Sequence, residues 1–187
     1  TQTARAEIDG LLSRLAASHC RFQRNGVWHT ADAAQVHLRR KLDHLASRGA
    51  IASTEEFIER AATRSSVSGR PYLVECGGKR WLFPGDTRVY DPGNLPDFGP
   101  VDAVFAHVWL GKACAALPNP PLLDAFCHFN LSIQTNRIFL AHLEELGRDE
   151  KDLWDSRHVK MISDKIIAND ASKKVGAYLM GERIDLY

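Results

Sequence analysis

Helical and strand patterns of apolar residues alternate over about the first fifty residues. Residues 4–18 carry an apolar stripe at i, i+3, i+4 and i+7 spacing, which predicts an amphipathic helix. Residues 20–29 alternate around Asn25-Gly26, a strong two-residue turn signal, and predict a short β-hairpin. Thr30 can cap a second helix, which we expect to end before Gly49. The residues of the first stripe are Ile8, Leu11, Leu12 and Leu15.

The next thirty or so residues predict a short helix followed by two strands. Ser53 and Glu56 have capping-box spacing, in which the Ser53 hydroxyl accepts from the amide of the third helical residue and Glu56 reaches back to the Ser53 amide. Residues 71–76 and 80–83 flank a Gly-Gly turn and have the composition of strands. We therefore expect residues 1–83 to form an α+β module.

Proline and glycine interrupt the pattern at residues 84–100, which hold four prolines and three glycines and predict a junction. Beyond it, near-continuous apolar runs alternate with helical patterns, which is typical of buried strands in a parallel β-α-β arrangement. We therefore expect residues 101–187 to form a small Rossmann-like α/β segment with a partly parallel sheet. The pattern places strands at 101–110 and 137–143, helices at 121–132 and 150–168, and a last strand near 175–180 or 183–186.

The composition is that of a folded globular protein, and it excludes several classes of partner. Hydrophobic residues make up 44% of the chain, and 24 Lys and Arg stand against 23 Asp and Glu, for a formal charge of +1. So balanced a charge predicts neither nucleic acid nor an anionic membrane as partner. No apolar stretch is long enough to predict a transmembrane helix. The chain begins with Thr1, which fits the removal of a targeting peptide, our preferred interpretation, and also fits a trimmed sequence.

The four cysteines show no C-x-x-C pair and no zinc-ribbon spacing. We therefore expect no structural metal site, and no motif indicates a cofactor. An oxidised pair is compatible with this spacing. The cysteines are Cys20, Cys76, Cys114 and Cys127.

Several spaced motifs in the first two-fifths of the chain carry a resemblance to a known family. They are CRFQRNGVW at 20–28, HL at 37–38, KLD at 41–43, STEEFI at 53–58, SSVSGRPYLV at 65–74 and CG at 76–77, with Ala34. Over about residues 7–78 the chain resembles the YfeK-like family, small bacterial proteins exported to the cell envelope and of unknown function. The remainder is not covered, and a natural fusion, a diverged family or an engineered join would each account for it.

The resemblance implies an exported, oxidising setting, periplasmic or secreted, and a disulfide between Cys20 and Cys76. The residues agree with this pairing, since each of the two lies at an end of a predicted short strand. Two buried free thiols are the alternative. We expect Cys114 and Cys127 to be buried small apolar residues, because free cysteine is among the most buried residue types.

The tip of the predicted hairpin offers a candidate binding surface. Arg24, Trp28 and His29 place a cation and an aromatic ring beside the turn, although turn chemistry alone explains Asn25-Gly26. The serines at 65, 66 and 68 could cradle an anion, but such stretches before a strand are usually turns. No G-x-S-x-G motif indicates a hydrolase serine.

A second candidate site lies where ligands bind in α/β folds, outside the carboxyl ends of the strands. The runs at 101–110 and 137–143 are 26 residues apart, which favours a crossover and parallel neighbours. Lys112 and Arg148 would hold an anionic ligand, while His142 or Glu144 would act as acid or base. Gly111-Lys112 is no P-loop, because alanine replaces both its earlier glycine and its Ser/Thr. Charged residues at helix starts also serve the helix dipole, which is the structural alternative.

Three further signals favour structure over function. Arg137 and His142 have the R-x4-H spacing of some ribonuclease toxins, but that motif needs a helix and this stretch predicts a strand. His107 lies inside an apolar run, where a satisfied core histidine is expected. Cys127 and His128 are adjacent on a predicted helix, so their side chains point apart and make a poor metal pair.

We interpret the chain as an exported bacterial envelope protein that acts by binding another envelope protein or an envelope ligand. The alternative is an enzyme or a nucleotide- or anion-binding protein with its site at the strand ends of the α/β segment. A purely structural interaction domain is the third class.

Overall fold

The computed structural model describes residues 2–62, 71–85, 87, 89–111, 117–143, 149, 153–179, 182 and 184. The chain divides into two compact units, Thr1–Gly78 and Lys79–Tyr187. The first unit ends at Gly78, whereas the sequence predicts a module that ends at residue 83. The strand over residues 79–83 pairs with a strand of the second unit. A self-contained module over residues 1–83 stays a prediction.

The helices of the first unit share one apolar core. They are α1 (Gln2–Ala17), α2 (Ala31–Ala46) and α3 (Thr54–Phe57), and α3 continues into a π-helical turn at Ile58–Ala62. Leu11 belongs to the predicted stripe but is 41% exposed, because the buried line of α1 steps by four residues through Ala4, Ile8 and Leu12. The core is formed by Ile8, Leu12, Leu42, Phe57 and Ala61.

Three antiparallel strands complete the first unit. They are β1 (Arg21–Arg24), β2 (Val27–Thr30) and β3 (Tyr72–Cys76), and β1 pairs with both of the others. Asn25 and Gly26 both have positive φ, 52° and 80°, as a two-residue type I′ turn requires. The predicted hairpin is therefore confirmed.

The pairing of β1 with β3 explains the disulfide. Arg21 lies opposite Glu75, so Cys20 and Cys76 are the next cross-strand pair. Their Cα atoms are 4.4 Å apart, the close spacing of a pair that exchanges no backbone hydrogen bonds. The two are bonded, which confirms the pairing implied by the resemblance and shows that the alternative of two free thiols is wrong.

The second unit contains a parallel sheet, and two helices connect its strands. Its strands are β4 (Lys79–Phe83), β5 (Ala103–His107), β6 (Arg137–Ala141) and β7 (Lys174–Ala177), and each is parallel to the next. The connections from β5 to β6 and from β6 to β7 contain α4 (Leu123–Leu131) and α5 (Ser156–Asn169). The predicted α/β segment and its parallel neighbours are confirmed. Of the two places proposed for a last strand, β7 occupies the first, and the second lies largely outside the described residues.

The bounds predicted for three elements of the second unit are wrong. The strand predicted over 101–110 is the shorter β5, which begins at Ala103 and ends at His107. The strand predicted over 137–143 ends at Ala141, because His142 has a left-handed backbone that a strand cannot contain. The helix predicted over 150–168 begins at Ser156, because Asp155 caps it and accepts hydrogen bonds from the amides of Arg157 and His158. In the part of the chain that the structure describes, no helix has the length and apolar character needed to cross a bilayer.

The two faces of the parallel sheet differ in burial. Val104, Ala106, Ile138 and Leu140 share one face and are at most 2% exposed. The opposite face carries a row of four aromatic rings, each in contact with the next. Each ring comes from one strand or from the residue that follows it, and most of the four residues are half-buried. The row consists of Phe83, Phe105, Phe139 and Tyr178.

Candidate functional site

The residues predicted at the hairpin tip divide between the two faces of the hairpin. Phe22 pairs with His29, so Arg24, two residues further along β1, lies on the same face as His29. Trp28 pairs with Gln23 on the other face, where the guanidinium carbon of Arg21 lies 4.7 Å from the centre of its ring. The structure therefore brings Arg24 and His29 to one face and places Trp28 on the other.

Arg24 contacts a residue of α2 that the sequence analysis missed. One terminal nitrogen of its guanidinium is 2.8 Å from Nε2 of His37. Because a guanidinium can only donate, Nε2 accepts, and the imidazole in this contact is neutral with its proton on Nδ1. The helical spacing of His37, Arg40 and Lys41, at i, i+3 and i+4, is the signal that could have identified this basic face.

We name five side chains the basic cluster: Arg24, His29, His37, Arg40 and Lys41. Burial lowers the pKa of His37, and the positive charges of the other four lower it further. Among the described residues, the charged groups that shift this pKa are all basic side chains, and they come from β1, β2 and α2. Lys41 also anchors the helix, since its Nζ donates to the carbonyl of Ala61 at 2.8 Å. Such a concentration of positive charge favours the binding of an anion.

The carboxyl edge of the parallel sheet brings two histidines together. His107 is the last residue of β5, and His142 directly follows β6. Their ring centres are 5.1 Å apart with an angle of 24° between the planes, so the rings stack. Both side chains are half-buried and both Nδ1 atoms are screened from solvent. His107 is therefore not the core histidine that the sequence predicts, because its position at the strand end leaves its ring partly exposed.

Only part of the predicted strand-end site falls within the described residues. Gly111 and His142 are described, whereas Lys112, Glu144 and Arg148 lie outside the described residues, as do Cys114 and the serines at 65, 66 and 68.

The remaining candidates have structural roles. Arg137 is the first residue of β6 and His142 follows its last residue. The guanidinium carbon of Arg137 lies 5.1 Å from the centre of the Phe139 ring, so no toxin-like pair forms. Burial raises the pKa of the Cys127 thiol to about 12, which makes it a poor nucleophile, and His128 is exposed. Within the described ranges, no group of three or more His, Cys, Asp or Glu side chains could hold a metal ion.

The described pocket is lined by residues of the second unit and shares none of them with either candidate site. It has a volume of about 200 Å³ and lies at the amino ends of β5 and β6. One wall is the loop from Pro92 to Gly99, and the other is formed by Ser132, Ile133 and Gln134.

Comparison with known proteins finds similarity over about the first two-fifths of the chain. Residues 2–82 match the model of a family described as a family of unknown function, DUF5329. Over 68 residues the chain is 40% identical to the uncharacterized protein YfeK of Salmonella typhimurium, a match that covers 36% of this chain and 55% of that protein. The chain thus spans about half the length of this relative. No solved structure matches. The resemblance of the first unit to YfeK-like proteins is confirmed, and the role of those proteins is unknown.

Proposed function

We propose that this chain belongs to an exported bacterial envelope protein that acts by binding, and that the basic cluster binds an anionic partner. The observation that carries this proposal is the 2.8 Å contact between Arg24 and His37 amid three further basic side chains. A negative group placed there reduces the mutual repulsion of the cations, and a guanidinium offers it paired hydrogen bonds.

Two observations support the envelope location. The Cys20–Cys76 bond belongs to the type of crosslink that persists in oxidising compartments such as the bacterial periplasm. The resemblance of the first unit to YfeK-like proteins points the same way. Fractionation of bacteria that express the full natural gene tests the location: recovery of the protein in the reduced form from the cytoplasm would contradict it.

Chemical-shift mapping by NMR tests the binding surface. Inorganic phosphate, sulfate and a glutamate-rich peptide are added in turn, with glycerol as the uncharged control. We expect the anions, but not glycerol, to shift the amides around Arg24, His29 and His37, and the shifts to weaken as NaCl is raised. Arg24→Gln should abolish them, whereas Arg48→Gln, a change of an exposed arginine just beyond α2, should leave them unchanged. Anions that shift no residue of the basic cluster would refute the proposal.

The stacked pair His107 and His142 favours a second candidate function. It lies at the carboxyl edge of a parallel sheet, where α/β enzymes and nucleotide-binding proteins hold their ligands. Shifts from the same anions around Gly111 and His142, with none at the basic cluster, would favour this alternative. An imidazole that neighbours a bound ligand would then be the acid or base.

A further inference from the structure

We infer that the basic cluster is a site for a single tetrahedral dianion, a phosphate group, and that His37 takes up a proton when the group binds. This inference rests on the proposed function, because it names the ligand of the same surface.

The donors of the basic cluster come from three elements. Arg24 is the last residue of β1, His29 lies on the same face in β2, and His37 approaches Arg24 from α2. Arg40 and Lys41 follow His37 by three and four residues on α2. A planar carboxylate is matched by one guanidinium fork, whereas donors that arrive from separate elements are better matched by oxygens that point in several directions, as those of a phosphate do.

The charge of the cluster also favours a dianion. Arg24, Arg40 and Lys41 are cations at every physiological pH, so the cluster carries three positive charges even while its histidines are neutral. One carboxylate carries a single negative charge against these three positive charges. A phosphate monoester carries about −1.5 to −2 at neutral pH and compensates more of it.

The hydrogen bond between Arg24 and His37 gives the site a proton-linked step. Without a ligand, Nε2 of His37 accepts from the Arg24 guanidinium. An anion is a stronger acceptor than an imidazole, so it takes the N–H groups of Arg24 and leaves Nε2 without its donor. A proton from solvent then binds to Nε2, and the imidazolium donates to the anion. In the free protein burial lowers the pKa of His37, and the positive charges of Arg24, Lys41 and Arg40 lower it further. The anion offsets these charges.

Calorimetric titration of the oxidised, full chain with sulfate tests this inference. Sulfate is a tetrahedral dianion that does not titrate between about pH 6 and about pH 8, so any proton uptake belongs to the protein. Perchlorate has the same shape and a single charge, and it is the matched control ligand. We expect sulfate to bind at least about tenfold more tightly than perchlorate and to bind more tightly as the pH falls, by up to about tenfold per pH unit.

Variants show which residue takes up the proton and which residue supplies positive charge for sulfate binding. In His37→Gln the side-chain oxygen can still accept a hydrogen bond from Arg24, so we expect this variant to fold. It should bind sulfate without taking up a proton. Titrations in buffers of different ionisation enthalpy measure the proton uptake. Arg24→Gln should weaken sulfate binding at least about tenfold. Arg40→Gln, which removes an exposed cation of the same cluster, serves if that variant is unstable, and Arg48→Gln is the unchanged control. Equal binding of sulfate and perchlorate, or unchanged proton uptake in His37→Gln, would overturn the inference.

The source of the phosphate is decided by two further probes. Inorganic phosphate and phosphatidylcholine vesicles that contain phosphatidic acid present the same group in free and membrane-bound form. Tighter binding of one of these two probes identifies the source of the phosphate group. A protein that binds a glutamate-rich peptide at the cluster but binds no sulfate would refute the phosphate inference and leave the proposed binding function standing. A protein that binds no anion at the cluster would refute both.

Discussion

The ring of His142 lies on the same face of the sheet as the ring of His107, although strand alternation would place it on the opposite face. His107 pairs with Ala141, so these two residues share a face and the next residue should point away. The backbone of His142 is left-handed, with φ of 64°, and this conformation turns its ring back onto His107. A left-handed backbone costs a residue with a side chain roughly 1–2 kcal/mol, so the stacked pair is held against a backbone preference.

We expect the His142→Gly variant to be more stable than the His142→Ala variant. Both His142→Gly and His142→Ala remove the stacked ring, but only glycine adopts this φ without strain. In denaturant titrations, the free energy of unfolding of His142→Gly should therefore exceed that of His142→Ala by about 1 kcal/mol. The same two changes at exposed His44 of α2 should give the opposite order, since glycine weakens a helix. Equal stability of the two variants at position 142 would contradict the strain.

The disulfide should make a large contribution to the stability of the first unit. Cys20 and Cys76 are 56 residues apart in sequence. Closing a loop of that length stabilises the folded state by about 4 kcal/mol in the chain-entropy model. Replacing both cysteines with serine should lower the free energy of unfolding by that amount. Intact mass before and after reductant should differ by two hydrogen atoms for this bond, and alkylation of both thiols in oxidised protein would contradict it.

Ser53→Ala should cost about 1 kcal/mol, because the Ser53 hydroxyl accepts from the amide of Glu56 at 3.2 Å and so caps α3. The reciprocal half of the predicted capping box is wrong by one residue: Glu56 accepts from the amide of Ala52 and not from that of Ser53. Ser53→Asp retains a capping oxygen, so its free energy of unfolding should be close to that of the unchanged protein. Thermal or urea melts measure both, and equal losses for the two variants would show that the cap contributes nothing.

Asp155 should make the second unit sensitive to acid. Hydrogen bonds from the Arg157 guanidinium hold the pKa of Asp155 well below its ordinary value, and His158 and the backbone add to the effect. Because the folded pKa is depressed, the carboxylate stabilises the fold above about pH 4 and loses this contribution as the pH falls below that value. Asp155→Asn keeps a capping oxygen without the charge. Its stability deficit at about pH 7 should shrink at about pH 3, and a deficit independent of pH would contradict the assignment.

Cys127 should be inert in the folded protein. Its side chain is 1% exposed and burial raises its pKa to about 12, so almost no thiolate exists at about pH 8. Iodoacetamide should leave it unmodified in native protein and modify it fully in denaturant. Rapid native alkylation would show that the region around α4 opens.

Local signals explain which parts of the fold could be predicted. The hairpin follows from Asn25-Gly26, whose turn type is dictated within two residues, and the parallel order of β5 and β6 follows from the length of their connection. The start of α5 was also encoded locally, by Asp155, but the apolar pattern extends before that cap. Periodicity alone therefore placed the boundary too early.

The candidate site depended on contacts that no local pattern contains. Arg24 meets His37 because α2 packs where its second turn reaches the end of β1, a tertiary arrangement that joins residues 13 apart. The stacking of His107 and His142 depends on one backbone angle at a strand end, and histidine does not signal a left-handed conformation as glycine does. Residue type identifies His142 as a candidate, but packing determines that its partner is His107.

The bond between Cys20 and Cys76 also turns the chain between them into a closed covalent ring that contains β1, β2, α2, α3 and β3. A protease that cuts this ring once releases no fragment, so the two new ends stay at high effective concentration and the unit can fold again around the nick. The helix α1 lies outside the ring. A single cut between Ala17 and Cys20 would free it and remove two of the five buried residues of the helical core, Ile8 and Leu12. The short connection from α1 to β1 is therefore the point at which one broken peptide bond does the most damage to this unit.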